Sequence, residues 1–281
     1  MNLTLPDLTT QIQFFVSLPP PIHDPREIIF AVSIGFWDVY HFAGLDSQIG
    51  SKSIDLAVMV VISQLDILYS HFQKMMNSNT QSANTTNPPP TFRLIIPKLV
   101  DPSLLPGWQT QRPVPIPPSS VAEQQKNAVH LTRQWNSVLE RRLHSWINSY
   151  PDLKASPDSQ TTPVQNAEKE IFYHDLPSLI LDLAIERSLE IEGLTDETGL
   201  GKSESPLVDV YLPCVSEEEM SKDDAEAYTE VDGKLVCKSP RTYLWWDGWS
   251  MGSFASEEVG KNIAAMVVDG DMLGSITKKE I

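Results

Sequence analysis

Cysteine is nearly missing from this chain: Cys214 and Cys237 are the only two in 281 residues. A short acidic stretch separates them, and two readings stay open, a pair of buried free thiols or one disulfide. A disulfide closing a loop of that size stabilises by roughly 3 kcal/mol in the chain-entropy picture. Basic residues are also scarce, 21 Lys and Arg against 37 Asp and Glu, which leaves a formal charge of −16. That balance argues against a nucleic-acid partner, because phosphate binding needs a basic face. An acidic surface serves first to keep a protein soluble. No run of about eighteen apolar residues occurs, so no membrane span is expected on that criterion. Met1 to Phe15 carries no basic leader followed by an apolar core and a cleavage site, and export is not visible there. The cysteine pair and the sequons Asn2-Leu3-Thr4 and Asn84-Thr85-Thr86 point the other way, so the compartment stays open.

What is present suits one sizeable domain over residues 1–281, since 41% of the chain is hydrophobic. Ile28 to Ile34 is a short, β-rich apolar run ending at Gly35 and reads as a buried strand. Ser53 to Met76 follows with apolar residues at helical spacing. Further strands are predicted at Phe92–Ile96 and Glu170–His174, and Tyr243–Trp246 is a short apolar run leading to Asp247. Helices are predicted at Ser120–Tyr150, at Leu176–Glu192 with Gly193 as its stop, and at Phe254–Val268. Long surface loops are expected at 77–90, 101–119 and 215–232, with a polar linker at 155–165. Strands alternating with helices imply a parallel sheet with helices on both faces.

Several segments, in order, resemble blocks of the SGNH (GDSL-type) esterase and lipase family, above all its plant-type and fungal members. Leu8 to Phe15 resembles the helix before that family's central strand. Phe30 to Tyr40 (FAVSIGFWDVY) resembles the strand that ends in a glycine-any-asparagine-aspartate block. Cys237 to Gly252 (CKSPRTYLWWDGWSMG) is similar to the closing block, where a cysteine and an apolar strand precede aspartate-any-any-histidine. Asp196 to Gly201 and Pro213-Cys214 match a Gly-rich turn and a first cysteine. The resemblance implies a flavodoxin-like three-layer α/β/α sandwich, with its site at the C-terminal ends of the strands. It also implies ester hydrolysis and no cofactor. The family's Gly-Asp-Ser block and first, central strand would lie upstream of residue 1. A sheet without that strand would expose edges and apolar faces, so marginal stability or self-association is expected of these residues alone.

The chemistry such a site needs is incomplete here. Ester cleavage by this route takes a serine, a base, a carboxylate that orients the base, and oxyanion donors. No Gly-Asp-Ser occurs anywhere in the chain. Matching Gly35-Phe36-Trp37-Asp38 to the third block puts Trp37 where the oxyanion asparagine belongs, and an indole N–H is one donor on a far larger group. In the closing block Asp247 matches the aspartate, but Ser250 stands where the histidine belongs, and a serine hydroxyl accepts no proton near pH 7. The remaining catalytic candidates are Asp38 and His41 at the strand end, with His174-Asp175 as a weaker pair. Gly35, Phe36, Trp37, Trp246 and Trp249 are the candidates for shaping an apolar or ester small-molecule site. No metal pattern emerges, because His174-Asp175 lacks a second histidine at helical or turn spacing. Gly199-Leu200-Gly201-Lys202-Ser203 lacks the spacing of a phosphate loop and reads as a turn. The expectation is therefore a degenerate esterase-like protein. The alternatives are an enzyme of the same fold recruited to other acyl-transfer or cyclisation chemistry, or a non-catalytic binding protein.

Overall fold

A computed structural model describes residues 7–19, 28–80, 91–117, 119–149, 167–216 and 227–273. Within them the chain is a mixed α/β protein built on three parallel strands. These are β1 (Ile28–Ala31), β2 (Thr91–Pro97) and β3 (Glu168–His174), side by side in sequence order. Along β2, Phe92, Leu94 and Ile96 are buried and alternate with half-buried neighbours. Register places Phe30, Leu94 and Ile171 in one row, so all three project to the same face.

That face carries the main core. Helix α1 (Leu8–Ser17), α3 (Ser47–Thr80) and α5 (Val121–Asn148) lie over it; between α1 and α3 the chain also forms the short α2 (Phe36–Phe42). Ile54, Val58, Val61, Leu65, Leu68 and Phe72 recur every three or four residues, which sets one buried stripe along α3. Each such side chain stabilises by roughly 1.5–3 kcal/mol relative to exposure. Trp146 of α5 meets Tyr69 and Phe92 edge-on at 5.9 and 6.1 Å. Ser120 starts α5 by accepting the Glu123 N–H, an N-cap that the sequence announces. Helix α6 (Leu176–Glu192) ends at Gly193 in the left-handed region, as its sequence predicts.

The other face is covered unevenly. Phe172 and His174 are buried there, and α7 (Ser253–Asp269) packs on β3, with Asn262 Oδ1 2.8 Å from His174 Nε2. Toward β1 the cover thins: Ile29 is 47% exposed, and among the described residues no strand pairs with its outer edge.

A smaller body follows α6. Strand β4 (Asp209–Pro213) pairs in parallel with β8 (Tyr243–Trp245), and β5 (Val215–Ser216), β7 (Lys234–Cys237) and β6 (Tyr228–Val231) form an antiparallel ribbon. Cys214 and Cys237 are joined by a disulfide where the ribbon leaves β4, which decides between the two sequence readings.

Three expectations about loops need correction. The segment 215–232 contains β5 and β6, and Asp232-Gly233, both at positive φ, turns the β6–β7 hairpin. Residues 217–226 lie outside the described residues. The proline-dense segment 101–119 is not wholly a surface excursion: it forms a 3-10 turn (Pro102–Leu104) and α4 (Pro106–Thr110), and it buries Leu105 and Trp108. Proline fixed the local irregularity, but the apolar side chains between the prolines were free to find the core. Helix α3 runs on to Thr80, so residues 77–80 are helical where a loop was expected, and 81–90 lie outside the described residues. The same holds for the linker 155–165, both sequons and His23. One stretch, Ser47–Met76, is long and apolar enough to cross a membrane by length and composition, although no uninterrupted apolar run marks it.

Candidate functional site

Strand β1 ends at Ala31, Val32 still donates to the Ile95 carbonyl, and the chain then turns into α2 at Gly35. Gly35 sits at φ +104°, and a Cβ there would fall on the Trp135 indole, so both backbone and space require glycine. Strand β2 ends at Pro97. Its exit is held by Asn136, whose Oδ1 accepts the Leu99 N–H at 2.7 Å and whose Nδ2 donates to the Leu99 carbonyl at 3.0 Å. Lys98 turns aside to pair with Asp175 at 2.9 Å.

These two strand ends open onto a cleft of about 1010 Å³. Its other walls are the first turn of α1, the flank of α3 at Ala57, Val60 and Val61, and Trp245, Trp249, Ser250 and Met251. Open α/β sheets place ligands at this end of their strands. The walls are mainly apolar, and the polar groups on them include Ser33, Asp38, Lys98, Ser250 and Ser256.

Of the residues singled out from sequence, Gly35, Phe36, Trp37, Asp38, Trp249 and Ser250 border this cleft. Trp37 is 47% exposed and stands 5.2 Å from Phe36 and 5.5 Å from Trp249, between ring centroids. Trp246 and Asp247 do not border it. Asp247 Oδ1 accepts the N–H groups of Trp249 and Ser250 at 2.8 and 2.7 Å, so its carboxylate closes a turn and orients no base. Trp246 is 41% exposed, and its N–H donates to the Ser250 carbonyl across that turn. His41 borders a separate hollow on the far side of α2.

Among the described residues no histidine lines the cleft. His174 is buried beneath α7, while Asp175 faces Lys98 and caps α6, so the two adjacent residues do not act as a pair. His130 is exposed on α5, His144 is half-buried, and His71 packs on Phe15. The turn at Gly199 offers no phosphate cradle either. Asp196 accepts the N–H groups of Thr198, Gly199 and Leu200, and Glu186 accepts those of Gly201 and Ser203. The chain's own carboxylates occupy the donors that a phosphate would need.

Burial raises the Asp38 carboxyl above its ordinary value; its backbone hydrogen bond and the nearby His41 oppose this less strongly. A raised carboxyl binds its proton more tightly in the folded state, so its ionisation costs stability as pH rises above the unfolded value. Asp38→Asn should therefore raise the melting temperature at pH 7. The gain should shrink toward zero as pH falls below the ordinary carboxylate range. A melting curve series across pH 3–8 checks this, and a variant less stable at neutral pH would refute it.

Sequence reasoning missed Lys98, Leu99, Ser33 and Ser256 as wall residues, because nothing local marks a strand exit as a cleft wall. Trp135 was legible as core, yet it also forms the cleft floor behind Gly35. Fold and cleft together define an α/β protein with a ligand-sized, largely apolar site at the ends of a parallel sheet. No protein-family model matches the chain, and no curated protein sequence matches it.

Proposed function

We propose that this chain is an SGNH-like protein of the flavodoxin-like, three-layer type. Its cleft holds an apolar, ester-bearing small molecule and does not cleave it by a serine-histidine-aspartate route. The observation that carries this is the composition of the cleft: aromatic and aliphatic walls, serines and the half-buried Asp38 carboxyl, and no imidazole among the described residues. Without a base a serine hydroxyl keeps its proton near neutral pH, and loss of a whole triad typically removes around six orders of magnitude in rate. The family likeness is supported by the glycine turn between β1 and α2, by consecutive parallel strands and by the convergence of Gly35–Asp38 with Trp249-Ser250 on one cleft. Its volume is near the upper end for small-molecule pockets, about 300–1,000 Å³, and suits an acyl chain lying against Phe36, Trp37 and Trp249.

Two measurements on the same sample test this. Calorimetric titration with ethyl octanoate should show one binding site, weakened about tenfold in Trp37→Ala, the order of an anchor aromatic. Intact mass after a fluorophosphonate serine probe should be unchanged. Absence of binding would remove the ligand role. A stoichiometric adduct on one serine would overturn the non-catalytic reading and name a nucleophile.

One observation favours a second reading, an enzyme recruited to other acyl-transfer or cyclisation chemistry. Asp38 stands on the cleft wall beside Trp37, and burial raises its carboxyl above the ordinary value, the direction in which a general acid is tuned. Turnover of an acyl substrate that is lost in Asp38→Asn would select that reading.

A further inference from the structure

Arg112 is held in a way that its surroundings do not explain. Its guanidinium lies between two rings, 4.4 Å from the centroid of Tyr40 and 4.0 Å from that of Trp108. Nε donates to Gln124 Oε1 and Nη1 to the Tyr40 carbonyl, each at 2.7 Å. Both acceptors are neutral. Among the described residues no carboxylate comes within ion-pair distance, in a chain whose Asp and Glu outnumber its Lys and Arg by 37 to 21. A half-buried charge without a counterion is costly unless something else compensates it. Two of five N–H donors are used, and the stacking and hydrogen bonds fix the plane of the group.

The guanidinium borders a hollow of about 370 Å³, apart from the main cleft and shared with His41, Gly44, Pro113, Val114, Ile116 and Ser119. Gly44 leaves Nη2 open: a Cβ there would stand 3.4 Å from that atom. Val114 and Ile116 are 86% and 84% exposed on the rim. A fixed, planar, unneutralised donor group at the base of an apolar rim matches a planar oxyanion on an apolar body.

We propose that this hollow is a binding site for a small organic carboxylate, with Arg112 as its anchor and the Pro113–Ile116 strap against its apolar part. A bare inorganic oxyanion would fill the donors but leave the strap unused. The site is independent of the ester reading of the main cleft.

Titration calorimetry with hexanoate tests it, with hexanol and inorganic phosphate as comparisons. Hexanoate should bind at one site, more weakly as salt rises, while hexanol should not bind there and phosphate should not displace it. Arg112→Met should raise the dissociation constant at least tenfold and leave ethyl octanoate binding in the main cleft unchanged. Gly44→Ala, whose methyl would stand in ordinary contact with Nη2, the His41 carbonyl and the Gln124 amide and so keeps the stacked arginine while covering Nη2, should weaken hexanoate severalfold, so the test survives a poorly folding Arg112 variant. Hexanoate binding that is absent, or unaffected by both variants, would overturn the proposal. So would phosphate binding as tightly as hexanoate, which would leave a simple anion site.

Discussion

Trp135→Ala should lower the stability of the protein by about 3–5 kcal/mol, the range for deleting a fully buried large aromatic. The indole is 1% exposed on α5 and packs where Gly35 would carry its side chain, so strand exit, helix and cleft floor meet on one ring. Two costs add: the lost transfer of the ring from water, and the void left behind. The void would open toward the cleft, so water partly fills it and the loss should fall short of a sealed cavity's. For a chain of this size the melting temperature should drop by roughly 10 °C. Urea unfolding followed by circular dichroism checks it: the midpoint should fall with the slope unchanged. A loss below about 1 kcal/mol would mean that the ring is not packed as described.

The second large effect is expected at the disulfide. Cys214 and Cys237 are 23 positions apart, and opening a loop of that length should cost about 3 kcal/mol through the freed unfolded chain. The surroundings add to this, since both cysteines are buried against Tyr228 and Tyr243. The Cys214→Ser, Cys237→Ser double variant should unfold at lower urea than the oxidised protein, as should the wild type under reducing conditions. Hydrogen exchange should rise first in the β5–β7–β6 ribbon, whose short strands have little core of their own. The three-stranded parallel sheet, packed under α3 and α5, should keep its protection. Coincident unfolding curves for oxidised and reduced protein would rule the contribution out.

Much of the fold was legible because local signals and burial agreed. The α3 stripe, the alternation of β2, the Ser120 cap and the Gly193 stop all put apolar or turn residues where helix and strand periods require them. Legibility failed where composition and burial disagreed. Proline density between 101 and 119 hid Leu105 and Trp108, and acidic residues masked Tyr228 as a strand start. Asp232-Gly233 was the one local sign of the hairpin there, a turn dipeptide with both residues at positive φ.

The candidate site divided in the same way. Sequence order brought Gly35, Phe36, Trp37 and Asp38 together, because four consecutive residues at a strand exit have little freedom to separate. It could not separate Asp38 from His41, which α2 sends to two different hollows. Nor could it show that Asp247 spends its carboxylate on the Trp249 and Ser250 N–H groups. Side-chain direction on a seven-residue helix and hydrogen bonds within a turn are settled by packing, not by residue type.

By itself, then, the sequence determined the acidic balance, the order of the three parallel strands and of the long helices α3, α5, α6 and α7, the Gly193 stop, and the lack of any Gly-Asp-Ser or closing histidine. Those follow from composition and short-range periodicity. Only the tertiary structure decided the pairing of the two cysteines, the meeting of β1, β2 and Trp249 on one cleft, and the stacking of Arg112 between Tyr40 and Trp108. Each of these joins residues distant in the chain, and such contacts are fixed by which apolar faces must be buried together rather than by any local pattern.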